Sequence, residues 1–230
     1  MRDRTLTALL VAQLLIVAVG EPLAALSLHR ITLVITLIGR GLVIALVCAS
    51  GNVYAIAGLA LSLALAIPAL LAPTSFSAHI ASICFDASAA LSWLSLSIVV
   101  AGTVFGRGRV SVGRVVGAVV LYLNVGMIFM MLFASLEQIS PGSFAGLGET
   151  SDPDRLLAAL LYFSVVTLTT TGYGDIVPVH PVARAMCNIE AIIGQLYPAT
   201  ILARIISLEI ASATSSKATS QAERIPPLDE

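Results

Sequence analysis

Residues 170–175 read Thr-Thr-Gly-Tyr-Gly-Asp, and this stretch decides how the rest of the chain is interpreted. A strand alternates the direction of its carbonyl groups. Successive carbonyls point the same way only where some residues adopt dihedrals that glycine visits at low cost. Gly172 and Gly174 supply that freedom on either side of Tyr173. The pattern predicts an irregular backbone with a row of aligned carbonyl oxygens.

The composition is typical of an integral membrane protein. Of the 230 residues, 58% are apolar and 11% are charged, and the mean hydropathy is +0.99. A net charge of −1 argues against a nucleic-acid partner. Cys48, Cys84 and Cys187 lie in separate apolar runs, which indicates buried thiols rather than disulfides or a metal site.

Six stretches are long enough to cross a bilayer. They run from Leu6 to Leu28, Ile31 to Ala49, Val53 to Ala72, His79 to Phe105, Val112 to Leu136 and Pro181 to Ile210. The first also fits a secretory signal, although its apolar pattern continues through Leu28 and favours a retained helix.

A seventh apolar stretch, Arg155 to Leu168, is shorter. It spans about 21 Å as a helix, against about 30 Å of hydrocarbon core, so it is predicted to be re-entrant. The run Ser151-Asp152-Pro153-Asp154 predicts its start. Its C-terminal end carries a partial negative charge that would stabilise a cation in the middle of the bilayer.

The stretch from Thr170 to Gly174 resembles the selectivity filter of potassium channels, whose TVGYG loops from four subunits replace the hydration shell of the ion. Thr171 stands where that motif has valine. The preceding stretch, Leu160 to Thr169, is similar to the pore helix of tetrameric cation channels. Tyr162 and Phe163 occupy the positions of the aromatic cuff around the filter.

Two neighbours of the filter bear on its support. Asp175 follows the filter as it does in the family. Some members place a glutamate four residues before the filter threonine, whereas this chain has Val166. By resemblance, support at the back of the filter is therefore missing or comes from elsewhere.

The resemblance implies a set of ion-binding residues. Potassium would bind to carbonyls of Thr170, Thr171, Gly172 and Tyr173, and the Thr170 hydroxyl would complete the innermost site. Gly174 would shape the outer mouth. Because one filter cannot surround an ion, three identical subunits are the expected partners in a homotetramer, and potassium ions are the only expected cofactor.

The last apolar stretch carries the predicted gating residues. Gly194 lies twenty positions after Gly174, where many potassium channels have a hinge glycine, and Pro198 removes a helix hydrogen bond one turn later. By the same matching, Gln195 would face the cavity under the filter and Leu202 would lie near the gate. Close packing between small residues is the alternative role for Gly194.

Glu190, Arg40 and Asp86 are charged residues well inside apolar stretches, where charge is costly and is a functional hypothesis by default. Glu190 is predicted either to be protonated and bond the back of the filter, or to bond Asn188 or Tyr197. Arg40 and Asp86 are expected to form an ion pair that fixes helix packing, with exposure to a water-filled cavity as the alternative.

Charge in the loops predicts the orientation, because arginines gather on the cytoplasmic side. If six helices cross, five arginines fall on one side of the membrane: Arg2, Arg4, Arg107, Arg109 and Arg114. This side would be the cytoplasm, and both termini would lie there. The outer loop would then be acidic and concentrate cations through Glu137, Glu149, Asp152 and Asp154. Residues 79–105 contain no arginine, so steep voltage gating is not expected.

Together these features predict an all-α integral membrane protein of six transmembrane helices, with a re-entrant pore helix and an extended filter between helices five and six. We expect a peripheral four-helix region over residues 1–105, a pore domain over 106–210 and a short cytoplasmic tail over 211–230. The predicted function is a potassium-selective channel subunit in the cell membrane, surrounded by lipid. A weakly selective cation channel and a non-conducting sensor or scaffold are the alternatives.

An enzyme is not expected. The three histidines, His29, His79 and His180, fall far apart, and no nucleophile elbow, zinc motif or phosphate-binding loop accompanies them.

Overall fold

The fold was analysed in a computed structural model that describes residues 3–26, 29–71, 75–106, 111–148 and 152–222. Several residues used in the predictions above lie outside these ranges: Arg2, Arg107, Arg109, Glu149 and Ser151.

The described chain is all-α apart from one two-residue ladder. The helices are α1 (Asp3–Ala25), α2 (His29–Ser50), α3 (Val53–Leu71), α4 (Ser75–Val104), α5 (Val112–Ile139), α6 (Pro153–Leu168) and α7 (Pro181–Ala222). The predicted helix ends agree with these bounds to within about four residues, except at the end of α7. That helix was predicted to end near Ile210 and continues to Ala222. Two described segments, Ile80–Val104 and Val112–Ile139, are long and apolar enough to cross a membrane.

Two apolar clusters form the core. The first cluster joins the four helices α1, α2, α3 and α4 to the N-terminal half of α5. It includes Leu6, Val47 and Val100, which are fully buried. The second joins the C-terminal half of α5 to α6 and the start of α7, around Phe133 and Leu160. The four N-terminal helices are therefore not a separate layer, since α1 packs against α5 and α6 and α4 packs along α5.

The start of α6 is defined by the residues that the sequence indicated. Asp152 is the N-cap, and its side chain accepts a 3.0 Å hydrogen bond from the Asp154 amide. Pro153 occupies the first turn, where a missing N–H costs nothing. Most apolar residues of α6 are buried, among them Leu156, Leu160 and Leu161. Its sixteen residues span about 24 Å.

A short ladder joins the loop after α5 to the segment before α7. Strands β1 (Phe144–Ala145) and β2 (Val177–Pro178) pair antiparallel, with Phe144 opposite Pro178. The Ser143 carbonyl also accepts hydrogen bonds from the amides of Val179 and His180, at 2.8 and 3.1 Å. The segment that follows residues 170–175 is thus fixed to the α5–α6 loop.

Glu137 shapes this loop from inside. Its two carboxylate oxygens accept hydrogen bonds from the amides of Gly142 and Phe144, at 2.7 and 3.3 Å, and its side chain is buried. The sequence placed Glu137 in an acidic outer loop that would concentrate cations. The structure shows that its carboxylate also folds this loop, and its effect on cations stays a prediction.

The predicted ion pair between Arg40 and Asp86 was also wrong. The Arg40 guanidinium donates to Ser88 Oγ and lies 5.0 Å from the centre of the Phe85 ring. Asp86 instead accepts a 2.5 Å hydrogen bond from the amide of Gln138 on α5. Each charged group therefore uses its own neutral partner.

Candidate functional site

The backbone of residues 170–174 departs from a regular strand as predicted. Gly172 and Gly174 have φ of 60° and 79°, in the left-handed region that glycine adopts without strain. Thr170 has φ of 57°, which costs a threonine about 1–3 kcal/mol. Positive φ therefore recurs at every second residue.

Two successive amides of this segment point at the end of α6. The amides of Thr171 and Gly172 both donate to the Val166 carbonyl, at 2.9 and 3.4 Å. In a planar trans peptide the carbonyl points opposite to the N–H of the next residue. The carbonyls of Thr170 and Thr171 consequently both point away from α6. All residues from Thr169 to Asp175 are exposed in the single chain.

Tyr162 connects α6 to the outer end of the segment. Its hydroxyl donates a 2.8 Å hydrogen bond to Asp175 Oδ2, and its ring stacks on Tyr173 at 6.3 Å between centroids. The hydrogen bond from Tyr162 holds the pKa of the Asp175 carboxyl below its ordinary value. Gly146 packs directly against the backbone of Asp175, because a Cβ at residue 146 would lie 2.0 Å from the Asp175 carbonyl oxygen.

Phe163, the next residue of α6, has a different set of partners. It is buried against Phe133 and Phe144, both at 5.4 Å between ring centroids. In the single chain its contacts therefore hold α6 to α5 and to the outer loop.

Glu190 is fully buried on α7 and reaches α6. Its Oε1 lies 2.5 Å from Ser164 Oγ, which is also 2.8 Å from the Gly126 carbonyl on α5. Its Oε2 has no hydrogen-bond partner among the described residues. Of the two predicted partners, Tyr197 bonds the Ala118 carbonyl instead and Asn188 is exposed, so that alternative was wrong.

Gly194 packs directly against the C-terminal end of α6. A Cβ at this position would lie 1.8 Å from the Leu168 carbonyl oxygen. The same oxygen accepts a 2.9 Å hydrogen bond from the Tyr122 hydroxyl of α5. Gly194 thus has the close-packing role, while its role as a hinge stays a prediction.

The other predicted gating residues follow Gly194 along α7. Gln195, Pro198 and Leu202 are all exposed in the single chain, Leu202 at 60%. Pro198 lies inside the helix, where it cannot donate to the Gly194 carbonyl. The cavity and gate roles of these residues stay predictions.

Sequence reasoning missed Ser164, Gly126 and Tyr122. A glutamate in an apolar stretch indicates that it has a polar partner. When that partner is a hydroxyl on another helix, no sequence spacing relates the two residues. The positive φ of Thr170 was also missed, because only glycine announces that conformation in a sequence.

The comparisons with known proteins agree with this geometry. A family model described as "Ion channel" matches residues 117–210, which cover most of α5, all of α6 and most of α7. The potassium voltage-gated channel protein shk-1 of Caenorhabditis elegans is 37% identical over 70 residues, 30% of this chain and 13% of its own length. Residues 117–210 are thus similar to an ion-channel family.

Other relatives are similar to this chain over comparable lengths. The two pore potassium channel c of Oryza sativa subsp. japonica is 35% identical over 86 residues, 37% of this chain and 17% of its own. Protein LctB of Bacillus caldotenax is 33% identical over 87 residues, 37% of this chain and 64% of its own. The chain thus spans less than two thirds of each of these relatives. No solved structure matches it.

Proposed function

We propose that the chain is one subunit of a potassium-selective channel in which four copies surround a central axis. Potassium loses its water and binds to carbonyls of Thr170, Thr171, Gly172 and Tyr173, and the Thr170 hydroxyl completes the innermost site. Conduction is passive, with repulsion between neighbouring ions offsetting tight binding. The family's oligomeric members support a multimer.

The observation that carries this proposal is the direction of the backbone after α6. Two consecutive amides donate to one acceptor, the Val166 carbonyl, so the carbonyls of Thr170 and Thr171 share a direction away from the helix. Positive φ at Thr170, Gly172 and Gly174 extends the non-strand conformation over the whole motif. Exposure of this segment in one chain supports a surface that other copies complete.

The end of α6 adds to the field at the inner end of the filter. Its last carbonyls carry a partial negative charge, which favours a cation nearby. Tyr122 and Gly194 contact the Leu168 carbonyl from two sides and hold this end in place. A cation that has passed the filter would meet a fixed electrostatic environment.

The transmembrane arrangement follows from the helix lengths. We assign six crossings to α1–α5 and α7 and a re-entrant position to α6, whose length of about 24 Å is less than the roughly 30 Å hydrocarbon core. Both termini then lie in the cytoplasm. The pore domain comprises residues 106–210, and residues 1–105 form the remaining four helices.

A weakly selective cation channel is the second candidate, favoured by one observation. Thr171 replaces the valine of the family motif, and its hydroxyl lies 2.9 Å from Thr169 Oγ1. An added polar contact behind the filter changes what holds the carbonyls in place. Only the ratio of potassium to sodium permeability separates the two candidates.

Flux from purified protein in liposomes tests the proposal. We expect potassium flux well above sodium flux for the wild type, and a reduced ratio or rate for Thr170→Ala. Thr200→Ala is the matched control, because its hydroxyl bonds only the Tyr197 carbonyl within α7 among described residues. Equal flux of both ions would favour the weakly selective channel. No flux from purified tetramers would favour a non-conducting scaffold.

A further inference from the structure

The buried contact between α5, α6 and α7 has fewer protons than it needs if Glu190 is ionised. A serine hydroxyl has one hydrogen to donate. Ser164 Oγ nevertheless lies within hydrogen-bond distance of two oxygens, the Gly126 carbonyl at 2.8 Å and Glu190 Oε1 at 2.5 Å. A carbonyl can only accept, so the Ser164 hydrogen satisfies Gly126 and the second contact requires a hydrogen from Glu190.

The ionised alternative leaves two defects. If Ser164 donated to a carboxylate, its oxygen and the Gly126 carbonyl would face each other at 2.8 Å without a hydrogen between them. The charge would also be buried without a counter-ion, since Glu190 is fully buried and forms no ion pair among the described residues. A neutral carboxylic acid removes both defects and leaves only a neutral oxygen, Oε2, without a partner.

Among the described residues, no cationic side chain forms an ion pair with Glu190. Tyr122 of α5 and Cys187 of α7 are titratable groups on which a charge at Glu190 would act. Both are neutral near pH 7. On α6 the titratable residues are Asp154 and Arg155 at the far end and Tyr162, which bonds Asp175.

We propose that Glu190 is a protonated positioning residue that donates a hydrogen bond to Ser164, which donates its own hydrogen to the Gly126 carbonyl. These two hydrogen bonds tie α7, α6 and α5 together. The tie lies four residues before Leu168, on the turn of α6 that carries Val166. It therefore supplies, from α7, the support behind the filter that Val166 cannot give. This inference rests on the proposed function for its effect on ion flux.

Infrared spectroscopy of the wild-type protein in lipid tests the protonation itself. We expect the carbonyl stretch of a hydrogen-bonded carboxylic acid at neutral pH, which is absent in Glu190→Gln. In Ser164→Ala the band should persist but move to higher frequency, because its hydrogen-bond acceptor is gone. A neutral-pH spectrum in which Glu190→Gln removes a carboxylate band instead would overturn the proposal.

Ion flux distinguishes a hydrogen-bond donor at residue 190 from a side chain that only fills the space. Glu190→Gln keeps a neutral N–H donor of similar size, so we expect it to retain potassium selectivity, whereas Glu190→Met, which fills the space without a donor, loses it. Wild-type flux should fall at alkaline pH and Glu190→Gln flux should not. Asn188→Met, an exposed position on the same helix, is the control. Equal behaviour of the Gln and Met variants would refute the donor role.

The infrared and flux measurements test the protonation of Glu190 and the proposed function separately. If the wild type conducts no ions but shows the protonated band, the proposed function falls and the protonation stands. If the wild type conducts selectively but the band is that of a carboxylate, only the present inference falls.

Discussion

The Tyr162 hydroxyl donates a 2.8 Å hydrogen bond to Oδ2 of Asp175, while the Tyr162 ring stacks on Tyr173. One side chain of α6 therefore contacts both the side chain that lies between the two glycines and the side chain that follows them. Because the bond favours the carboxylate over the acid, the pKa of Asp175 lies below its ordinary value.

Replacement of Tyr162 by phenylalanine should make stability less dependent on pH. A carboxyl with a lowered folded-state pKa contributes stability above its unfolded pKa and loses it as the pH falls through the folded one. We expect the wild type to exceed Tyr162→Phe in thermal stability at neutral pH, and the difference to narrow towards acid. Thermal unfolding across that range checks this, with the exposed Tyr54→Phe as control. A difference that stays constant with pH would argue against the bond.

Gly194→Ala should destabilise the contact between α6 and α7. Its Cβ would lie 1.8 Å from a backbone oxygen, which cannot move aside as a side chain can, and such overpacking costs about 1–3 kcal/mol. Gly102→Ala is the matched control, because a Cβ there meets nothing within 4 Å. Unfolding in detergent should show a lower midpoint for the first variant alone. Equal midpoints would contradict the close contact.

Arg40 and Asp86 should act independently. We expect the losses of stability from Arg40→Gln and Asp86→Asn to add to within about 0.5 kcal/mol in a double-mutant cycle. A cycle between Asp86→Asn and Gln138→Leu should instead show a coupling of about 0.5–3 kcal/mol, since those side chains share a hydrogen bond. Strong coupling in the first cycle would restore the ion pair predicted from the sequence.

Gln13 should anchor α1 through Asn124. The amide of Gln13 donates to Asn124 Oδ1, and Asn124 donates to Ser97 Oγ at 3.0 Å. Asn124→Leu leaves a buried amide unpaired, which costs about 1–3 kcal/mol, and adding Gln13→Leu should recover part of that loss. Chemical unfolding of Asn124→Leu and of the double variant measures the loss and the recovery. The control Leu14→Ala, half exposed on the same helix, should change little. No recovery in the double variant would count against the contact.

The helices and the irregular backbone of residues 170–174 were predictable because their signals are local. Apolar runs set the helix positions, and Asp152 with Pro153 marked the start of α6. Gly172 and Gly174 announced the positive φ that the structure has. Each of these features depends on neighbours within a few residues.

The side-chain partners were not predictable, because they depend on how the helices rotate against each other. The opposite charges of Arg40 and Asp86 suggest an ion pair. In the packed helices, however, Arg40 bonds Ser88 and Asp86 bonds Gln138. Glu190 likewise required a partner that only the approach of α6 to α7 identifies. The end of α7 was missed because the polar residues after Ile210 suggested a tail, whereas the helix continues to Ala222.

The packing of α1 against α5 and α6 constrains the order of biosynthesis. Gln13 and Asn124 are 111 residues apart in the chain, so α1 is synthesised long before its polar partner emerges from the ribosome. Contacts of such long sequence separation form slowly, because a large loop must close first. The contact between α1 and α5 therefore forms only after α5 has been synthesised, and α1 cannot pack onto the region that matches the ion-channel family before that.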